Sequence, residues 1–260
     1  MMSLETYIRA RLQRKKLLLM THVVVGYPSF EANMTMLETM QRAGADLVEL
    51  QWPFSEPIAD GPMFVRANQG ALDIGITREQ YFTFLQRAAT SFDFKILMMG
   101  YYNSVFRMGH ESFCAALAEH GGSGFIVADL PLEEAGELNQ HAARYQLAPV
   151  LLMTPTTPEP RLRLLARQAR GFIYCVARRG VTGTHTRMDQ SLAAFIARCR
   201  RVTTLPLALG FGLQTGADLQ SVQGLVDIGV VGTALLAAWE QGGAMRYEAL
   251  LQELRAATMD

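Results

Sequence analysis

The sequence predicts a closed (β/α)8 barrel, and three observations carry that expectation. Eight short apolar runs recur along the chain, amphipathic helical patterns fall between them, and 260 residues is the length such a barrel takes. Strands alternating with helices require right-handed crossovers and a parallel sheet. The same alternation also suits a doubly wound open sheet. Half of the residues are hydrophobic, enough to bury a large core. No Pro/Ser-rich linker or shift of composition marks a boundary, so residues 1–260 read as one domain.

The elements follow in order. The stretch "RLQRKKLLLMTHVVVGYP" has the basic flank and apolar run of a secretory signal, but Thr21 and His22 interrupt the run and no small-residue cleavage site follows it. It reads instead as a short N-terminal helix leading into a first strand at 18–25. A helical pattern with apolar residues three and four apart spans 31–43, and the second strand is "DLVELQ" at 46–51. The third strand begins only at 95, about 49 residues after the second, so an extended loop follows strand 2. Strands at 95–100 and 124–129 flank a helix at 110–120; a helix at 133–145 leads to a strand at 148–154. The last three strands fall at 171–177, 205–210 and 225–231, with a helix at 190–201 after the sixth.

Composition excludes several classes of function. The formal charge is zero and no basic run exceeds Arg14-Lys15-Lys16, so neither nucleic acid nor an anionic membrane has a footprint here. No segment reaches the roughly 18 apolar residues of a membrane span. Cys114, Cys175 and Cys199 lack the CxxC spacing of a zinc site and are odd in number, which fits a reduced cytoplasmic protein.

The stretch "VELQWPFSEPIADGP" at 48–62 opens the long connection. Barrel active sites are built from the loops at the C-terminal ends of the strands, and long insertions there are usually functional. If Val48 and Leu50 face the helices, Glu49 and Gln51 point into the mouth, because side chains alternate along a strand. A carboxylate in that position loses hydration, which equips it to carry a proton at neutral pH. A strand-end Glu that pairs with a nearby arginine is the other reading. Asp60 lies in "ADGP", which is also ordinary turn chemistry.

Glycines follow three late strands: "RRGVTGTHTR" at 178–187, "GFGLQTG" at 210–216 and "GTALL" at 232–236, the last opening a helix. Backbone amides bared by glycine, together with a helix N-terminus, make an anion site, and barrels bind phosphate after strands 7 and 8. Gly210-Phe211-Gly212 lacks the third glycine and acidic partner of a dinucleotide fingerprint. Of the three lysines, Lys15 and Lys16 precede strand 1 and Lys95 begins strand 3, so no lysine stands in the mouth for a Schiff base. The five histidines form no strand-end set with metal-ligand character. What remains is a phosphorylated substrate handled by carboxylate acid/base chemistry.

These segments, with "VADLP" at 127–131 and "GTA" at 232–234, run in order over nearly the whole chain and closely resemble the tryptophan synthase alpha chain family. The resemblance implies retro-aldol cleavage of indole-3-glycerol phosphate to indole and glyceraldehyde 3-phosphate. It implies no cofactor in this chain and a partner, a pyridoxal-phosphate beta chain in an alpha2beta2 complex, to which indole passes. By motif, Glu49 would be the general acid/base and Asp60 would hydrogen-bond the indole N–H. The phosphate would lie on Gly183, Gly212, Gly232 and Thr233. Tyr174 would orient groups in the mouth, Thr182 would close toward Asp60, and Tyr101, Ile126 and Phe211 would wall the indole.

The family pattern Leu-Gly-Val-Pro-Phe-Ser-Asp-Pro stands here as Leu50-Gln51-Trp52-Pro53-Phe54-Ser55-Glu56-Pro57. Gln51 and Trp52 would add bulk beside Glu49, and Glu56 replaces an Asp expected at the beta chain. Thr233 keeps the hydroxyl of a usual Ser, and His22 replaces a usual Phe near the indole pocket. Two variants of the same resemblance stay open: a free-standing lyase that releases indole, and a non-catalytic alpha-like partner of a beta chain.

Overall fold

The computed structural model describes residues 2–176, 190–210 and 212–259. Its elements are α1 (Leu4–Leu12), β1 (Leu18–Val24), α2 (Phe30–Ala43), β2 (Leu47–Gln51), α3 (Pro62–Asp73), α4 (Arg78–Ser91) and β3 (Lys95–Gly100). Then come α5 (Tyr102–Met108), α6 (His110–Glu119), β4 (Gly124–Val127), α7 (Gly136–Arg144), β5 (Ala148–Pro149), β6 (Leu151–Met153) and α8 (Glu159–Gln168). The last are β7 (Ile173–Val176), α9 (Gln190–Val202), β8 (Leu207–Gly210), α10 (Gly216–Val222), β9 (Ile228–Val231) and α11 (Thr233–Met259), the last helix broken at Gly242 and Gly243.

Every strand pairing is parallel, in the order β5-β4-β3-β2-β1-β9-β8-β7-β6. β5 and β6 are two halves of the strand expected at 148–154. β5 pairs with β4 while β6 pairs with β7, so this one run of chain joins the two ends of the sheet and closes the barrel. Pro149, which has no N–H to give a ladder, sits where the pairing changes neighbour. The open doubly wound alternative is thereby set aside.

Alternation along the strands sorts the core into two layers. Leu18, Met20, Leu47, Leu97, Ile126, Phe172, Ala208 and Ile228 fill the barrel interior. Their neighbours Leu19, Val48, Leu50, Ile96, Met98 and Leu209 pack outward against the helices. At the N-terminal end Leu4, Tyr7 and Ile8 of α1 plug the interior. Ser3 caps that helix by accepting from the Thr6 N–H. Beside the plug the fully buried Asp46 binds Arg11 at 2.7 Å, Lys15 at 2.9 Å and the Leu19 N–H at 3.0 Å.

The long connection after β2 is largely helical rather than an extended loop: only 52–61 lie outside regular structure before α3, and α4 returns the chain to β3. The turn chemistry of "ADGP" sets that boundary. The Asp60 N–H bonds Pro57 O at 2.9 Å, Gly61 takes the cap position, and Pro62 starts the helix, where a missing N–H costs nothing. Trp52 follows the outward parity of Val48 and Leu50. It stacks on Tyr81 with centroids 5.2 Å apart and meets Phe82 edge-on at 5.6 Å, in the layer between sheet and helices. The bulk of Trp52, expected beside Glu49, therefore lies on the other face of the sheet, whereas Gln51 does stand on the inner face.

Candidate active site

The inward residues at the C-terminal strand ends, with the loops above them, enclose a cavity of about 760 Å³, counting its open mouth. Glu49 and Asp60 both line it, together with His22, Phe64, Met99, Ile126, Leu152, Tyr174 and Val230. On the β8 and β9 side the lining is Gly212, Leu213, Gln214, Gly232 and Thr233. The lining suits a small organic ligand, since such sites are mostly apolar with a few placed polar groups.

Glu49 is 3% exposed. Its partner is a histidine rather than the arginine considered from sequence: register sets His22 of β1 opposite Glu49 of β2, and His22 Nδ1 lies 2.6 Å from Glu49 Oε2. The other carboxylate oxygen, Oε1, is buried without a hydrogen-bond partner among the described residues. His22 Nε2 lies 2.8 Å from Gln51 Oε1, and Gln51 Nε2 donates to Asp60 Oδ2 at 2.7 Å. A hydrogen-bonded chain Glu49–His22–Gln51–Asp60 thus links the two carboxyl groups.

Asp60 is held from several sides. Besides Gln51, Asn68 of α3 reaches Oδ2 at 3.4 Å, and the Tyr101 hydroxyl also hydrogen-bonds the carboxyl group. Burial raises the Asp60 pKa above its ordinary value, and the Gln51 hydrogen bond, the charge of His22 and the Tyr101 hydrogen bond act against that rise. For His22, burial disfavours the charged ring, but the hydrogen bond and charge of Glu49, with Asp60 and Gln51 behind them, outweigh it and the pKa is raised. Tyr174 is raised well above the ordinary tyrosine value, by burial first and then by the charges of Glu49 and Asp60, so its hydroxyl stays neutral.

The residues singled out from sequence divide into three groups. Glu49, Asp60, Ile126, Tyr174, Gly212, Gly232 and Thr233 meet at the cavity. Tyr101 does not line it: the side chain is fully buried behind Asp60, accepts from the Ala59 N–H at 3.2 Å and stacks on Phe54. Its position one residue past β3 carries it beneath the loop instead of beside the ligand space. Thr182, Gly183 and Phe211 lie outside the described residues. Glu56 is exposed on the loop that follows β2.

Several lining residues escaped the sequence reading. Met99 of β3, Leu152 of β6 and Val230 of β9 occupy the same inward parity as Glu49, so the alternation that located Glu49 could have found them. Phe64 is different. It reaches the mouth from α3, with its ring edge-on to His22 at 4.6 Å, and no local pattern announces that contact.

Comparison with known proteins adds an independent line. The sequence pattern of the family described as "Tryptophan synthase alpha chain" matches residues 8–259. The tryptophan synthase alpha chain of Syntrophotalea carbinolica is 44% identical over 252 residues, covering 97% of this chain and 100% of that one. That of Desulforapulum autotrophicum is 45% identical over 251 residues, covering 96% and 99%. Among solved structures, Mycobacterium tuberculosis tryptophan synthase superposes with a TM-score of 0.92 at 28% identity, covering 99% of this chain and 98% of that one. A chain from the tryptophan synthase a2b2 complex of Pyrococcus furiosus gives 0.85 at 27% identity, covering 94% and 99%.

Proposed function

The chain belongs to the tryptophan synthase alpha chain family, and from that premise we propose that Glu49 and Asp60 carry out its lyase reaction in the cavity at the barrel mouth. The reaction is the cleavage of indole-3-glycerol phosphate to indole and glyceraldehyde 3-phosphate. Expelling an aryl carbon with neither Schiff base nor metal needs the ring carbon protonated first and the glycerol hydroxyl deprotonated as the bond breaks. The observation that carries the assignment is Glu49 Oε1, a buried carboxylate oxygen without a hydrogen-bond partner among the described residues, on a side chain that lines the cavity.

Glu49 delivers a proton to the indole carbon and takes up the hydroxyl proton. Asp60 accepts from the indole N–H and stabilises the positive charge that develops there. The phosphate rests on amides of Gly212, Gly232 and Thr233, the last at the N-terminus of α11, with Gly183 as a fourth contact. Ile126, with Phe211, walls the ring; Tyr174 orients groups in the mouth and Thr182 closes toward Asp60. Tyr101 acts from behind, through its hydrogen bond to Asp60. Indole passes to a beta chain that holds pyridoxal phosphate, an expectation supported by the a2b2 assembly of the Pyrococcus furiosus relative. The compartment is the cytoplasm, a reading supported by three buried free thiols, Cys114, Cys175 and Cys199.

Indole release from indole-3-glycerol phosphate is measured with the purified chain, alone and with a tryptophan synthase beta chain, for the wild type and Glu49→Gln. Turnover that rises with the beta chain and is lost in the variant is the expected result. Fast turnover indifferent to the beta chain means a free-standing lyase, and no turnover in any combination overturns the catalytic assignment.

A further inference from the structure

We infer that His22 is a positioning residue for Glu49, and that with Gln51 it ties both carboxyl groups into one hydrogen-bonded chain that reserves Glu49 Oε1 for the substrate. The inference rests on the function proposed above.

The direction of each hydrogen bond follows from the donors around Asp60. Gln51, Asn68 and Tyr101 all address that carboxyl group, which as a carboxylate can only accept. Gln51 must therefore turn its NH2 to Asp60 and its carbonyl to His22. A carbonyl only accepts, so His22 Nε2 carries a hydrogen. Nδ1, 2.6 Å from Glu49 Oε2, is then left with one proton to hold or to share with that oxygen. His22 is therefore not the tautomer with its hydrogen on Nδ1 alone, which would set a bare Nε2 against the Gln51 carbonyl.

The pairing assigns the two Glu49 oxygens different tasks. Oε2 is taken by His22, while Oε1, on a side chain that lines the cavity, has no hydrogen-bond partner among the described residues. When Oε1 gives its proton to the indole carbon, the carboxylate that remains faces a protonated ring, not bare apolar surroundings, so the buried anion is paired. As the carbon–carbon bond breaks, its electron pair returns to the indole ring and the glycerol hydroxyl proton moves to the same Oε1. The cycle closes with the proton count restored.

His22 and Gln51 together build one bridge between the two carboxyl groups. The groups facing His22 are Glu49 of β2, Asp60 and Gln51, with Tyr174 of β7 lining the same cavity and its neutral hydroxyl; Phe64 and Gly232 supply apolar contact from α3 and the end of β9. No lysine or arginine lines this cavity among the described residues.

Two measurements on the full chain test the inference. Nitrogen-15 NMR of histidine-labelled protein, with His22 identified by its loss in His22→Phe, should show both ring nitrogens protonated above pH 6.5; Glu49→Gln should lower that titration. In indole release with a beta chain, His22→Phe should move the low-pH limb of the kcat profile up by about one unit and lower kcat about tenfold, with a much smaller change in KM. A His22 that titrates as an ordinary histidine and ignores Glu49→Gln overturns the inference, as does a His22→Phe profile of unchanged shape. If His22→Phe fails to fold, the effect of Glu49→Gln on wild-type histidine signals decides. Wild-type protein with no indole release but a coupled His22 would refute the proposed function and leave the pairing standing.

Discussion

Asp46 gives a test of whether stability and chemistry occupy opposite ends of this barrel. Its carboxylate is fully buried at the N-terminal end, between the α1 plug and the first two strands. Replacing it with alanine leaves the Leu19 N–H without its acceptor and the Lys15 ammonium, only 15% exposed, without its counter-charge and with only Gly44 O at 2.7 Å to accept from it; Arg11, 37% exposed, can turn to water. Removing one partner of a buried ion pair costs about 3 to 5 kcal/mol, and the exposure of Arg11 places this site at the low end, about 3 kcal/mol. For a chain of this size that is a fall of about 6 to 12 °C in Tm. The assay is urea unfolding at neutral pH, together with indole release at a temperature where the variant stays folded. Asp46→Asn, which keeps an acceptor for the Leu19 N–H, should lose less. A loss below about 1 kcal/mol for Asp46→Ala would refute the reasoning, because the pair would then behave as a surface ion pair. A large fall in kcat of the folded variant would refute the separation of the two ends.

Two further predictions concern the mouth. A Cβ on Gly210 would sit 2.2 Å from the Tyr174 hydroxyl oxygen and 2.4 Å from its ring, so Gly210→Ala must drive the ring toward the cavity. At about 1 to 3 kcal/mol for overpacking, kcat/KM should fall by roughly 5- to 150-fold; Tyr174→Ala in the same chain should relieve much of the strain, and equal kcat/KM in wild type and Gly210→Ala would contradict the packing. Asp60 concerns pH: with its folded-state pKa raised, folding binds a proton above the ordinary value of 3.8, so its contribution to stability is full below that value and is lost as pH rises through the folded pKa. Asp60→Asn should remove that slope and gain on the wild type in urea unfolding between pH 4 and 7, while turnover is lost; a stability difference that does not grow across that range would count against it.

What the sequence made legible follows from the period of two along a strand. Val48 and Leu50 identify the outward face of β2, so Glu49 and Gln51 point inward, and the structure has them there. The same parity sends Trp52 outward onto Tyr81, so its bulk belongs to the layer between sheet and helices. Tyr101 shows where parity stops being informative: just beyond β3 the chain turns into α5, and the ring enters the space beneath the Asp60 loop. The break of the fifth strand at Pro149 is readable from its missing N–H, but which neighbour each half would pair with depends on closure of the whole sheet. His22 was legible as a strand residue and illegible as a partner. Its bond to Glu49 comes from register between β1 and β2, separated by an entire helix, and register is fixed by the assembled barrel.

The charges in the mouth also fix how the proposed substrate must lie. Glu49 and Asp60 stand on the β2 side, whereas Gly212, Gly232 and Thr233 line the β8 and β9 side. Among the described lining residues there is no lysine or arginine, and what those residues offer a phosphate is backbone N–H groups and the N-terminus of α11, which act within a few ångströms. A dianion set beside the Asp60 carboxylate would face like charge at short range, a cost of several kcal/mol at an effective dielectric of about 20. The phosphate is thereby confined to the far side and the ring to the carboxyl side. That ordering leaves the glycerol carbon chain spanning the gap, with the bond to be broken carried toward Glu49 Oε1, the carboxylate oxygen without a partner among the described residues.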